Sequence, residues 1–237
     1  MPLPKQPLLP FINNKNLYIN VRRVLESAQE ASGLAEENFY SNVVDPFSAV
    51  FDALRQGITL VNWIKQEKAR QIQKTMQNAL GEFHQSILGS MDGWEDLPVG
   101  HVIDICNIER KIIAEIKNKH NTTKGSDKKS IYDNLNSQLK ANYEGFTGYY
   151  VEIIPKGKKS YNKAFTPSDN VTKTRRPSNE KIRVIEGKSF YALASGHEEA
   201  LKMLYKVLPK VITDIVGTDY QDITKDILFM ELFNKAY

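Results

Sequence analysis

The apolar positions along the chain change their period twice, and those changes organise the sequence. From residue 45 to about residue 90 they recur at helical spacing: Phe47, Val50, Phe51, Leu54, Ile58 and Val61, then Ala69, Ile72, Met76, Ala79, Leu80, Phe83 and Ile87. Asp45-Pro46 ahead of the first stripe is an N-cap followed by proline at the first helical position, and Gly89 ends the second. Both stripes read as core-facing. Beyond them the period shortens. Residues 101–106 and 111–117 are short apolar segments around a polar turn at 107–110, the pattern of a β-hairpin. Residues 148–155 (GYYVEIIP) read as a buried strand. Residues 182–185 and 189–193 flank a Glu-Gly-Lys turn and predict a second hairpin. Ser195-Gly-His-Glu198 reads as a capping box for a helix carrying Ala200, Leu201, Leu204, Tyr205 and Leu208 on one face.

Helices, then strands, then helices predict an α/β fold in which helices flank a mixed β-sheet. The reading is one domain over 1–237, with a helical N-terminal part at 15–90, a sheet with its loops at 100–195 and C-terminal helices at 196–237. Residues 156–181 show no periodicity and read as a long functional loop.

The first hairpin also carries the chemistry. Pairing Cys106 with Lys111 sets Ile105 opposite Ile112, Asp104 opposite Ile113 and Ile103 opposite Ala114. One face is then apolar (Ile103, Ile105, Ile112, Ala114, Ile116), and Asp104, Glu115 and Lys117 share the other, with the two acids as diagonal neighbours. Two converging carboxylates supply the hard oxygen ligands that suit Mg²⁺. A lysine beside them can orient water or stabilise charge on a phosphoryl group. Acid-x-Lys alone is a weak signal, since it also occurs at Glu109–Lys111, Asp127–Lys129 and Glu186–Lys188. Only Glu115–Lys117 lies on an apolar strand with a paired acid. The plainer alternative is a surface Glu/Lys pair opposite a solvent-facing Asp.

Composition narrows the classes without deciding among them. Apolar residues at 41% and charged residues at 25% are ordinary for a globular protein. The longest apolar runs fall well short of a membrane span, and prolines interrupt the N-terminus where a signal peptide needs an apolar stretch. A single cysteine, Cys106, excludes an intramolecular disulfide and fits a reducing compartment, so the expected location is cytoplasmic. The four histidines lack metal-ligand spacing, and no phosphate-binding glycine loop is present. Net charge is only +4, but lysines 117, 119, 124, 128 and 129 cluster just beyond the candidate strand, and the long loop is basic as well.

The stretch IIAEIKNKHNTTKGSDKKSIYDNL, with VIDICN ahead of it, resembles the core of PD-(D/E)xK restriction endonucleases. With ALGEFHQSILGSMDGW upstream and EGKSFYALASGHEEALKMLYKVLP downstream, it is similar to the type II group that cuts GGNCC-like, GC-rich palindromes. The resemblance implies a restriction-endonuclease-like core and Mg²⁺-dependent hydrolysis of double-stranded DNA. Asp104 and Glu115 would be metal ligands, helped by the carbonyl of Ile116, and Lys117 would assist the attacking water. Ile103 stands where the motif's name has proline. Many such enzymes place a further acid on a preceding helix, for which Glu82 is the candidate.

DNA contacts are expected from Asn118, Lys119, His120, Lys124, Lys128 and Lys129, with Arg175 and Arg176 in the long loop as candidate readers of guanine. A palindrome has two scissile phosphates and the chain one hairpin, which points to a homodimer. Restriction enzymes imply a cognate DNA methyltransferase. Two alternatives remain open: a structure-specific repair or recombination nuclease of the same superfamily, and a non-catalytic DNA-binding module.

Overall fold

The computed structural model describes residues 3–33, 39–40, 43–98, 100–123, 125–169, 172–217 and 222–237. The chain divides into two compact units, one of Met1–Val21 with Phe83–Tyr237 and one of Arg22–Glu82. In chain order the elements are α1 (Asn14–Gly33), α2 (Pro46–Gln56), α3 (Leu60–Gly89), β1 (Glu95–Asp96), β2 (Ile105–Asn107), β3 (Ile112–Lys119), α4 (Gly125–Ala141), β4 (Thr147–Ile154), β5 (Asn162–Ala164), β6 (Ile182–Glu186), α5 (Gly187–Ser195), α6 (Ala200–Val216) and α7 (Ile227–Ala236).

In the smaller unit, Asp45 caps α2 as expected: its carboxylate accepts the Phe47 amide at 3.0 Å, and proline follows at the first helical position. The first apolar stripe is not core, however. Phe47, Val50, Phe51 and Leu54 are exposed, and α2 instead buries Ala49 and Ala53 against Phe39 and Trp63. The small side chains let the helix approach its neighbours closely, which turns the bulky ones outward. Gly57, in the left-handed conformation, ends α2 and resets the helical phase, so Ile58 and Val61 do not extend its stripe. The second stripe lies on α3, where burial becomes complete only at Phe83 and Ile87; Met76 is exposed.

The larger unit is built on a six-stranded mixed sheet in the order β1-β2-β3-β4-β6-β5. β3, β4 and β6 run parallel at its centre, and the edge pairings are antiparallel. β3 and β4 are buried over most of their length because helices cover both faces. On one face Ile131, Tyr132 and Leu135 of α4 pack with Ile113, Tyr150, Ile182 and Val184. On the other, the Phe190 ring of α5 meets Tyr149 and Trp94.

The second expected hairpin is a strand followed directly by a helix. Glu186 ends β6 and caps α5, accepting the amides of Lys188 (2.6 Å) and Ser189 (2.9 Å). A side chain at position 187 would put its Cβ 2.3 Å from the carbonyl oxygen of Ile153, so the strand-to-helix corner requires glycine. The 195–198 capping box is corrected too. Ser195 closes α5, Gly196 is its left-handed cap, and α6 begins at Ala200. The long loop contains a short strand, β5, which pairs with β6. No helix among the described residues is long and apolar enough to cross a membrane.

Candidate active site

The hairpin forms, with its register shifted two residues from the expected pairing. Ile105 lies opposite Ala114, Cys106 opposite Ile113 and Asn107 opposite Ile112. The Asn107 side chain accepts the Arg110 amide at 2.9 Å, and Lys111 adopts a positive φ of 53°, so the turn closes over Ile108–Lys111. A two-residue shift preserves the alternation of faces, and Glu115 and Lys117 remain on the same side of β3. Ile103 departs from the expected pattern. It precedes β2 and packs with Cys106 and Ile113 in the α4-side cluster.

Asp104 sits just before β2 and is held from both sides. Its amide donates to the Ala114 carbonyl (3.0 Å), and its carbonyl accepts the Leu97 amide (2.9 Å). Its Oδ2 accepts the amide of Ile116 at 2.6 Å, which sets the carboxylate beside the backbone between Glu115 and Lys117. Lys117 Nζ lies 2.6 Å from Glu115 Oε1. Burial pushes both carboxyl groups above their usual range, and the Asp104 charge raises Glu115 further; Lys117 opposes the rise at both, as does the Ile116 amide at Asp104. Burial disfavours the Lys117 ammonium, but Glu115 and Asp104 outweigh it and hold the lysine above its ordinary value.

This donor set fits a hard divalent cation. Two carboxylates resist sharing a partly buried space without added positive charge, and the Ile116 backbone lies against them. Among the described residues no group of three or more His, Cys, Asp or Glu could hold a metal. The other acid-x-Lys matches are used locally: Glu109 and Lys111 are exposed in the turn, Lys129 pairs with Asp169, and Glu186 caps α5.

The remaining expected residues are distributed as follows. Asn118 and Lys119 are half-buried at the end of β3; the His120 amide donates to Ile154 (3.0 Å), and its Nδ1 is enclosed without a hydrogen-bond partner. Lys124 lies outside the described residues. Lys128 binds Glu152 Oε1 at 2.5 Å, Lys129 binds Asp169 at 3.0 Å, and Arg176 grips Asp133 through two bonds of 2.8 and 2.7 Å. Arg175 is exposed, and so is Glu82, on α3 in the smaller unit.

Several polar groups were not singled out from the sequence. Glu152 is buried in β4 in register with Lys117 and also accepts the Tyr161 hydroxyl at 2.5 Å. An acid inside the run GYYVEIIP was its only signal. Asp96, on the two-residue β1, takes hydrogen bonds from Gln85 (2.8 Å) and Ser86 (3.0 Å), and its charge contributes to the rise at Asp104. A strand that short has no periodicity to read.

The family model described as Eco47II restriction endonuclease matches residues 9–217. The chain is 40% identical to the type II restriction enzyme Eco47II of Escherichia coli, over 97% of this chain and 99% of that one. It is 29% identical to the type II restriction enzyme Sau96I of Staphylococcus aureus, over 96% of this chain and 89% of that one. No solved structure matches it.

Proposed function

The chain belongs to the Eco47II restriction endonuclease family and is a type II site-specific deoxyribonuclease, and from that premise we propose that it hydrolyses double-stranded DNA at a short GC-rich palindrome of the GGNCC kind with Mg²⁺ as cofactor. The observation that carries the reading is the convergence of Asp104, Glu115 and Lys117, tied by the Asp104–Ile116 and Lys117–Glu115 contacts. Asp104, Glu115 and the Ile116 carbonyl would hold the cation. When bound, it supplies positive charge for the phosphoryl oxygens and acidifies the attacking water. Asp104 is kept in place by the Ile116 amide, so its carboxylate is oriented before any substrate arrives. Lys117, partly buried and held charged by Glu115, orients the water and faces the negative charge that builds on the phosphate. Asn118, Lys119, His120, Lys124, Lys128, Lys129 and Arg175 are proposed to line the DNA path, while the Arg176 fork is taken up by Asp133. Glu82 is kept as a proposed accessory acid.

A palindrome with two scissile phosphates calls for a homodimer. A cognate methyltransferase would protect the host's own sites, and the enzyme would work in the cytoplasm. The test is incubation of wild type and Lys117→Ala with unmethylated plasmid DNA, in Mg²⁺ or EDTA, followed by end-sequencing. Discrete Mg²⁺-dependent fragments from wild type alone are expected, with ends that name the site. Intact DNA across several substrates and divalent metals would overturn the reading.

A further inference from the structure

The two adjacent arginines of the long loop point in different directions, and the reason is on the backbone. The Arg176 amide donates to Pro167 (2.9 Å), Ser168 and Arg175 form an antiparallel bridge, and the Asp169 amide donates to Thr174 (2.7 Å). The two hydrogen bonds frame this single bridge, so residues 167–169 and 174–176 run as a short, narrow two-stranded ribbon. Side chains alternate across such a ribbon, so neighbours 175 and 176 take opposite faces.

The inward face is clasped to α4. Arg176 makes its two-pronged contact with Asp133 and lies 3.6 Å from Asp169. Asp169 is 3% exposed, is bound by Lys129 at 3.0 Å and accepts the Thr172 amide at 3.3 Å. The Tyr132 hydroxyl donates to the Pro177 carbonyl at 2.9 Å. Arg175 takes the other face, and Thr172, Lys173 and Thr174 at the tip of the loop are exposed as well. Helix α4 also reaches the candidate active site, because Lys128 binds Glu152, the register neighbour of Lys117. One helix therefore fixes both the strand beside the candidate lysine and the ribbon.

Resting on the nuclease reading above, we propose that residues 172–175 are the base-reading element, with Arg175 as the contact to DNA. Arg176 and Asp133 are positioning residues that hold the ribbon at a fixed offset from Lys117 and do not touch DNA. The chemistry supports this division. A two-stranded ribbon fits the major groove, and a free arginine fork matches guanine O6 and N7. Arg176 already spends that fork on Asp133.

The experiment uses the full-length protein on unmethylated plasmid DNA carrying a randomised insert, with end-sequencing to score preference at each base pair and thermal melting to confirm folding. Arg175→Ala should lose roughly 10- to 100-fold discrimination at one base-pair position of the site, the size of one bidentate base contact. Arg176→Ala and Arg176→Lys should blur the same position, since neither reproduces the two-pronged grip on Asp133. Asp133→Asn, which leaves both arginines intact, should do so too. The swap of Asp133→Arg with Arg176→Asp should restore it, as an arginine that touched DNA could not be restored from α4. Full activity in Arg176→Lys would mark Arg176 as a phosphate contact and overturn the assignment, with no need for the swapped pair to fold. Unchanged preference in Arg175→Ala, from a wild type that cuts, overturns the ribbon alone. A wild type that fails to cut overturns the nuclease reading itself.

Discussion

The carboxylate of Asp104 accepts the amide of Ile116 at 2.6 Å, and this side-chain bond ties the two arms of the hairpin at the point where its charged groups meet. It also leaves Asp104 next to Glu115, whose pKa it raises. The site thus concentrates negative charge in a partly buried place, an arrangement that favours cation binding and works against the fold.

Asp104→Asn should therefore stabilise the protein in EDTA while abolishing cleavage. Asparagine keeps an oxygen for the Ile116 amide and removes the raised, partly buried charge. The expected gain is about 1 kcal/mol near neutral pH, the usual size of a single stabilising substitution. A carboxyl whose folded pKa lies above its unfolded one costs stability as pH rises, so the gain should fade as pH falls through the raised folded pKa and be nearly gone by about pH 4. Urea melts of both proteins at pH 7.5 and pH 4 measure this; a variant less stable than wild type at pH 7.5 would refute it.

Lys117→Ala should separate binding from chemistry. The lysine touches Glu115 and is partly buried at the end of β3, so it is expected to act on the reacting phosphate more than on the DNA path as a whole. Single-turnover cleavage should drop on the order of 10²- to 10³-fold, the cost of removing one preorganised donor. The Kd for DNA in Ca²⁺ should change far less. Equal losses in both would make Lys117 a general phosphate contact.

The clustering of the hairpin's charged residues was legible in the sequence because alternation on a strand is tolerant: a register wrong by two residues still puts Glu115 and Lys117 on one face. The capped start of α2 was equally readable from Asp45-Pro46. The stripe of Phe47, Val50, Phe51 and Leu54 misled, because periodicity locates an apolar face without saying what covers it, and here Ala49 and Ala53 make the close approach. The second hairpin failed for a different reason. Whether Glu186-Gly-Lys turns into a strand or a helix depends on the Ile153 carbonyl, far away in sequence, and on Glu186 serving as a cap. The ribbon and its clasp to α4 depend wholly on tertiary pairing, so residues 156–181 offered no period to read.

Gly187→Ala tests that corner. The added Cβ would meet backbone at 2.3 Å, with no flexible side chain to yield, so β4 or the start of α5 must shift. A loss of about 1–3 kcal/mol is expected, the usual cost of overpacking. Cleavage should fall as well, since β4 carries Glu152 beside Lys117. Stability within about 0.5 kcal/mol of wild type would contradict the close approach.

His84 gives the larger unit a defined weakness to acid. Its Nδ1 lies 2.8 Å from the hydroxyl of the fully buried Tyr191, and its ring stands edge-on to Phe83 and Tyr191. Burial lowers its pKa from 6.5 to about 4, so the folded protein holds a neutral imidazole through the range in which the unfolded chain takes up a proton. The folded state therefore keeps its full contribution from this group above about pH 6.5 and loses it as pH falls towards 4. At about 1.4 kcal/mol per pKa unit, the loss amounts to about 3 kcal/mol. His84→Gln keeps a polar partner for the Tyr191 hydroxyl and cannot titrate. Its urea midpoint should start below that of wild type at pH 7.5, and the gap should narrow steadily through pH 6 and pH 5. Parallel curves for the two proteins across that window would show that His84 titrates at its ordinary pKa in the folded state.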